Sequence, residues 1–82
     1  MQNDLGKLRW RCRRGMKELD LLLARYVDER FCSASNVEQE AFRRLLESQD
    51  SVLYEYCLGS RRPPPEFATL IERITANSAG RP

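Results

Sequence analysis

Six basic side chains lie between Lys7 and Lys17, and this cluster is the part of the chain best suited to meet another molecule. Only one acidic residue, Asp4, falls within residues 1–17, whereas residues 18–82 hold eleven acidic and eight basic residues. The overall net charge of +2 therefore conceals a strongly basic end and a net acidic remainder. A basic end of this kind favours a partner that presents acidic groups.

Nothing in the residue pattern indicates catalysis. The chain has no histidine, which removes the usual general base and, together with the absence of a C-x-x-C pair, leaves zinc without a ligand set. No Gly-rich phosphate-binding loop is present. The three cysteines, Cys12, Cys32 and Cys57, are widely spaced and odd in number, which favours reduced thiols in a cytosol over a disulfide framework. We expect a binding protein and not an enzyme, with no metal site.

The length and composition favour one small helical domain. With 82 residues, 41% apolar and 32% charged, the chain is expected to fold as a single domain over residues 1–82, with an ordered core at about 4–76 and a flexible tail at 77–82. Its longest apolar run, residues 21–24, is too short to span a membrane. The polar and acidic residues 1–4 do not resemble a secretory or transit peptide.

Apolar residues recur at helical spacing and predict five helices. The first is expected to start after Asn3 or Asp4 as the N-cap. Gly15 is expected either to end this helix or to form the turn after it, because glycine accepts the left-handed backbone found at helix ends. The second is predicted at residues 16–30. Its apolar stripe repeats at steps of three and four residues and contains Met16, Leu19, Leu22, Leu23, Tyr26 and Val27.

The other three helices have recognisable starts. Ser35 and Glu38 form a capping-box pattern for a helix that reaches about Ser48, Asp50 is a candidate N-cap for the fourth helix, and Pro65 fits the first turn of the fifth. Gly59 is expected to end the fourth helix. The predicted fold class is all-α, a compact five-helix antiparallel bundle. Its expected buried residues in these helices are Val37, Ala41, Phe42, Leu45, Leu46, Leu53, Tyr54, Cys57, Leu58, Phe67, Leu70, Ile71 and Ile74.

Two interpretations of the segment from Arg13 to Glu18 remain open on the residues alone. Helix electrostatics explains basic residues at a helix C-terminus and Glu18 near the next N-terminus, while turn geometry explains Gly15. Alternatively, the mutual repulsion of six cations is offset by an acidic partner surface. Trp10, the single tryptophan, either packs at the edge of the bundle or is a partly exposed anchor for that partner.

The segment also resembles a known family. The pattern Trp10-x-Cys12-Arg13-Arg14-Gly15-Met16-x-Glu18-Leu19-Asp20 is similar to the Arg-Gly-x-x-Glu region of the small bacterial succinate dehydrogenase assembly factors of the SdhE (YgfY) type. The similarity continues in Phe42-x-x-Leu45-Leu46-Glu47-x-x-Asp50-x-x-Leu53-Tyr54-x-Tyr56 and covers about residues 5–75. The flanking residues make the resemblance far more specific than the short motif alone.

The resemblance implies a five-helix cytoplasmic protein that binds the flavoprotein subunit of succinate dehydrogenase, and often that of fumarate reductase. Such a factor promotes covalent attachment of FAD to a histidine of that client subunit. It is not itself the catalyst: it stabilises a client conformation in which attachment proceeds, and it occupies the face later taken by the iron–sulfur subunit. The implied factor acts on the FAD of its client and binds no cofactor stably of its own.

The resemblance also implies which residues meet the client. Arg14, Gly15 and Glu18 are the motif positions, with Arg14 available to client carboxylates and Glu18 within reach of an ion pair with Arg14. Two positions depart from the family pattern, Lys7 for an arginine and Tyr56 for a tryptophan. We expect Arg14 and Glu18 to be interface residues and not core residues. The expected client-binding set is Lys7, Trp10, Arg13, Arg14, Gly15, Met16, Glu18 and Asp20.

A second class of function is a small nucleic-acid-binding or antitoxin-type regulatory module. A basic helix could neutralise phosphates, but a recognition helix exposes Asn, Gln or Arg toward bases on a helix-turn-helix frame, and no such face stands out. No separate toxin-binding segment is evident either. The expected state is a monomer whose partner is the flavoprotein, without nucleic acid or membrane.

Overall fold

The helical spacing of apolar residues is realised in five α-helices. The structure, a computed structural model, describes the backbone of residues 2–79 and the side chains of residues 5–76. Every regular element in these residues is helical, which confirms the predicted all-α, five-helix fold. The helices are α1 (Gln2–Arg11), α2 (Lys17–Glu29), α3 (Asn36–Leu45), α4 (Asp50–Leu58) and α5 (Pro65–Ala79), with a 3-10 turn (Phe31–Ser33) after α2.

Helices α2 and α5 form the centre of the bundle. Helix α2 packs against α1, α4, α5 and the 3-10 turn, and α5 also packs against α3 and α4. The stripe predicted on α2 faces inward, with Leu19 and Leu23 fully buried and Met16 and Leu22 partly buried. The core also takes in the residues predicted on α5, namely Phe67, Leu70, Ile71 and Ile74.

An aromatic cluster joins α2, the 3-10 turn and α3. The ring centroids of Tyr26 and Phe42 lie 4.6 Å apart, and Phe31 lies 5.8 Å from Phe42. The Tyr26 hydroxyl donates a hydrogen bond to the Glu38 carboxylate, which also accepts one from Arg73 at 2.9 Å. Glu38 therefore ties α2 and α5 to α3.

This use of Glu38 changes the predicted capping box. The Ser35 hydroxyl accepts the Glu38 backbone N–H at 3.1 Å, as predicted for the N-cap of α3. A capping box also needs the Glu38 carboxylate to accept the Ser35 backbone N–H. This half of the prediction is wrong, because the Glu38 carboxylate is engaged with Tyr26 and Arg73. Gly59 ends α4 as predicted and is its C-cap, with a φ of +86°. Pro65 is the first residue of α5, which confirms the predicted start of that helix.

Several predicted boundaries move by a few residues. Helix α1 begins at Gln2, so Asn3 and Asp4 lie within its first turn and do not precede it. Helix α4 already includes Asp50, and Gln49 has the extended backbone of its N-cap. Asp50 does not cap because its carboxylate accepts a hydrogen bond from Arg14.

The C-terminal ends of α3 and α5 also differ from the predicted ones by a few residues. Helix α3 ends at Leu45, short of the predicted Ser48. Helix α5 continues to Ala79, so residues 77–79 are helical where a tail was expected, and residues 80–82 of that expected tail lie outside the described residues. None of the helices in residues 2–79 is long and apolar enough to cross a membrane.

Two residues predicted to be buried are exposed. Val37 is 80% exposed because burial on α3 begins one turn later, at Ala41. Leu58 is 60% exposed at the last position of α4, while Tyr54 and Cys57 on the same helix are half-buried. The exposure of Leu58 bears on the surface described below.

Candidate functional site

Five residues connect α1 to α2, and they form what we call the Gly15 turn (residues 12–16). Gly15 is exposed and has a φ of +80°, a conformation that side chains with a Cβ rarely adopt. A Cβ added at Gly15 would meet no atom within 4 Å. The requirement for glycine within the fold is therefore one of backbone conformation and not of internal space. The open space around it leaves the backbone accessible to another molecule.

The first turn of α2 holds this backbone through Asp20. One carboxylate oxygen of Asp20 accepts the Arg14 N–H at 2.7 Å, and the other accepts the Gly15 N–H at 3.1 Å. Two consecutive backbone donors are thus satisfied by one side chain, five and six residues further along the chain. Asp20 is half-buried, and its position in the sequence gave no sign of this turn-holding role.

Arg14 is anchored from the other side. Its Nε donates to the Arg11 carbonyl at 3.0 Å, and one terminal nitrogen donates to the Ser48 carbonyl at 3.1 Å and the Asp50 carboxylate at 3.0 Å. The second terminal nitrogen donates to the Leu46 carbonyl. These bonds use four of the five guanidinium donors. The Arg14 side chain is only 12% exposed.

The contacts of Arg14 join three helix ends. The Leu46 and Ser48 carbonyls lie just beyond the C-terminus of α3 and accept hydrogen bonds from Arg14. The dipole of α3 favours a cation at this end. Asp50, the third partner, begins α4. Arg14 is not a core residue, as expected, but its guanidinium is engaged inside the chain, and the expected ion pair with Glu18 does not form. The α3 carbonyls and Asp50 offer the guanidinium more acceptors than one exposed carboxylate could.

Glu18 lies on the surface, as predicted. Its carboxylate accepts a hydrogen bond from the Tyr54 hydroxyl at 3.4 Å, a long contact, and it makes no ion pair with any side chain in residues 5–76. It is therefore available to a basic group of a partner.

Trp10 is exposed and does not pack into the edge of the bundle, and its role as an anchor for a partner stays a prediction. Its side chain is 68% exposed, and the Arg13 guanidinium lies over its ring, 5.2 Å from the centroid. A cation over an exposed indole holds the ring in place at modest gain in free energy. Lys7 is also exposed, whereas Met16 is half-buried against the core.

The basic cluster is only partly compensated inside the chain. Arg9 forms an ion pair with Asp28, and Arg14 one with Asp50. The remaining four cations make no ion pair within residues 5–76: Lys7, Arg11, Arg13 and Lys17. Their mutual repulsion is left for a partner to relieve.

Two shallow grooves border this surface. One, of about 380 Å³, runs between α1 and α2 and is lined by Arg13, Lys17 and Leu21 among others. The other, of about 470 Å³, lies between α2, α4 and α5 and includes Glu18 and Leu58. Sequence reasoning predicted neither groove. The available signal in the sequence was Leu21, a leucine outside the apolar stripe of α2, which lines both grooves and is 62% exposed.

The cysteine nearest the turn is a core residue. Cys12 is 1% exposed, and its thiol donates to the Leu8 carbonyl at 3.4 Å. Burial raises the pKa of the Cys12 thiol to about 11, so the group is neutral and unreactive at physiological pH.

Comparison with known proteins gives a consistent result. Residues 6–78 match the family described as "Flavinator of succinate dehydrogenase". The chain is 46% identical to the FAD assembly factor SdhE of Coxiella burnetii, over 83% of this chain and 84% of that protein. It is 44% identical to the factor of the same name in Methylococcus capsulatus, over 87% of each chain. No solved structure matches it.

The matched region contains α1 from residue 6 onward, the whole Gly15 turn, α2, α3, α4, and α5 up to residue 78. The resemblance carried by the residues around Gly15 is thus confirmed over most of the chain. This protein belongs to the SdhE family of FAD assembly factors, the flavinators of succinate dehydrogenase.

Proposed function

We propose that this protein binds the flavoprotein subunit of succinate dehydrogenase, and that of fumarate reductase, and promotes covalent attachment of FAD to it. Membership of the family and the names of its relatives support this role. The observation that carries it is the Gly15 turn, an exposed glycine backbone held in one shape by side chains beneath it and surrounded by unpaired cations.

The exposed residues of the site make the proposed contacts. Gly15 lets the client backbone approach closely, because no side chain stands in the way. Glu18 pairs with a basic group of the client, and Lys7 and Arg13 pair with acidic groups. Trp10 supplies an exposed aromatic surface of the type enriched at interface hot spots.

The partly buried members of the expected set act by positioning the turn. Arg14 fixes the turn against α3 and α4, and Asp20 fixes its N–H groups from α2. Met16 packs against the core beneath the same backbone. In this proposal Arg14 positions the surface that the client contacts. It does not itself pair with client carboxylates.

The factor performs no bond-making step in this proposal. The client supplies the FAD and the histidine to which it becomes attached, as the resemblance implies, and the factor stabilises the client conformation in which attachment proceeds. We assign this encounter to the cytoplasm, which suits three free cysteines that keep their thiols reduced.

The test is flavinylation in cells that lack their native factor. A tagged flavoprotein subunit is co-expressed with this chain, purified, and examined by flavin fluorescence in a denaturing gel. Wild-type protein is expected to co-purify with the subunit and restore covalent flavin, and Gly15→Arg is expected to do neither while remaining folded. Full flavinylation with a folded Gly15→Arg variant would contradict the role of the turn.

The nucleic-acid alternative gains no support from the geometry. Arg9 and Arg14 are engaged with Asp28 and Asp50, which lowers the positive charge available to phosphates. A titration with duplex DNA at several salt concentrations should show no specific binding and little salt-dependent affinity.

A further inference from the structure

The groove between α2, α4 and α5 has an apolar floor open to solvent. Leu21 and Leu58 are 62% and 60% exposed on its two sides, with Leu22 and Cys57 half-buried between them. Burial raises the pKa of the Cys57 thiol to about 11, so this group is neutral at physiological pH. The Thr75 hydroxyl donates to the Ile71 carbonyl at 2.9 Å within α5. The floor therefore offers apolar contact and few unsatisfied polar groups.

Opposite charges stand at two points along the groove. Glu18 and Arg25 both line it from α2 and lie seven residues apart, about 10 Å at the usual helical rise of ~1.5 Å per residue. Neither forms an ion pair with another side chain in residues 5–76. Seven residues is two helical turns, so the spacing matches a short amphipathic helix carrying apolar residues at i, i+3 or i+4, and i+7.

The groove is continuous with the proposed client surface. Glu18 belongs to both, and Leu21 lines this groove as well as the groove between α1 and α2 that contains Arg13 and Lys17. A second copy of the chain is a weaker occupant. Only eight residues line the groove, whereas a stable interface uses roughly 20–30 residues on each side.

We infer that this groove receives an amphipathic helix of the flavoprotein client, with a basic residue at its Glu18 end and an acidic residue at its Arg25 end. The inference rests on the proposed function and extends it, because it adds a second contact surface beside the Gly15 turn. Apolar burial in the groove supplies affinity, and the two charges set the direction of the bound helix.

The test uses purified flavoprotein subunit of succinate dehydrogenase and compares Leu58→Glu with Val37→Glu. Both positions are exposed apolar residues, so both variants should stay folded, but Val37 lies on α3 away from the groove. Leu58→Glu is expected to weaken binding at least about tenfold, or about 1.4 kcal/mol. Val37→Glu is expected to bind like wild type, and Arg25→Glu to weaken binding less than Leu58→Glu does.

The outcomes separate the groove from the turn. If Leu58→Glu binds like wild type while Gly15→Arg does not bind, the groove inference is overturned and the proposed function stands. If wild-type protein does not bind the flavoprotein at all, the proposed function fails and the inference fails with it.

A photo-crosslinking residue at position 58 identifies the occupant in the purified complex. The expected product joins it to a flavoprotein helix with the stated apolar spacing and terminal charges. A crosslink to a second copy of this chain, or to a flavoprotein segment without that pattern, would overturn the inference.

Discussion

Two turns of this protein contain glycines with nearly the same φ angle but different surroundings. Gly15 has a φ of +80° and Gly59 a φ of +86°, both are exposed, and a Cβ added at either would meet no atom within 4 Å. Both glycines permit a left-handed backbone, Gly59 as the C-cap of α4 and Gly15 in the connection between α1 and α2.

The Gly59 turn is held by its own neighbours. The Gly59 N–H donates to the Glu55 and Tyr56 carbonyls at 3.0 and 3.2 Å, and the Ser60 N–H donates to the Glu55 carbonyl at 3.1 Å. The Arg61 guanidinium pairs with the Glu55 carboxylate at 2.7 Å. All of these contacts lie within six residues of one another.

The Gly15 turn is held from distant parts of the chain. Arg14 reaches acceptors 32 to 36 residues away, at Leu46, Ser48 and Asp50, while Asp20 secures the backbone from α2. A glycine with positive φ does not require such a network, as Gly59 demonstrates. The additional contacts fix where the Gly15 backbone lies relative to the rest of the bundle, which the proposed client-binding role requires.

The largest expected effect is on the free energy of unfolding, and it distinguishes Arg14, next to Gly15, from Arg61, near Gly59. Arg14→Ala leaves carbonyls beyond α3 unpaired and removes charged hydrogen bonds, so we expect it to lower the free energy of unfolding by about 2–3 kcal/mol. For a chain of this size the melting temperature should fall by roughly 10–20 °C. Arg61→Ala should leave it unchanged, because an exposed ion pair contributes little. Equal melting temperatures in the two variants, measured by circular dichroism, would refute the structural role of Arg14.

The next effect compares the glycines themselves. Gly15→Ala and Gly59→Ala should each lower the free energy of unfolding by about 1 kcal/mol, because each forces alanine into a left-handed conformation. Binding to the flavoprotein subunit, measured by calorimetry below the melting transition, should weaken only in Gly15→Ala. Similar binding losses in both variants would mean that the effect arises from stability and not from contact.

A smaller change in stability is expected at Glu18. Glu18→Ala removes only a long hydrogen bond with Tyr54, so the free energy of unfolding should change by no more than about 0.5 kcal/mol. Client binding should nonetheless weaken, by about 2 kcal/mol or more if the carboxylate pairs in a desolvated interface. Glu72→Ala, which removes an exposed acid on α5, is the matched control. Unchanged binding in Glu18→Ala would remove Glu18 from the interface.

The last prediction concerns the thiols of Cys12 and Cys57, which lie three residues before Gly15 and two residues before Gly59. These thiols should affect stability only at alkaline pH. Burial raises the pKa of Cys12 and Cys57 from 9.0 to about 11. Between pH 9 and 11 the unfolded chain loses these protons before the folded one, so stability is full below pH 9 and falls as pH rises toward 11. Unfolding in urea across this range should show the decline, and Cys12→Ala with Cys57→Ala should reduce it. A decline of the same size in the double variant would assign it to other groups.

The sequence predicts the fold well because the fold depends on local patterns. The stripe on α2, the glycine at the end of α4 and the proline that starts α5 all follow from residue type and spacing. The errors at Val37 and Leu58 arise at helix ends, where exposure depends on how far a neighbouring helix extends.

The candidate site is less predictable, because its decisive contacts are not local. The motif around Gly15 locates the turn, but no periodicity links Arg14 to carbonyls in the α3–α4 connection. A charged residue next to a glycine is predicted to lie on the surface when its distant hydrogen-bond acceptors are unknown. The half-formed capping box has the same cause, since Tyr26 and Arg73 engage Glu38 from other helices.

The exposure of Trp10 gives this protein an optical reporter of its own. As the single tryptophan, it emits from a ring that is already 68% exposed in the folded chain, with the Arg13 guanidinium over its face. Unfolding therefore moves its emission maximum little, whereas a client that covers the ring should shift the emission to shorter wavelength. Docking on the basic end and global unfolding would then be distinguishable in one unlabelled sample.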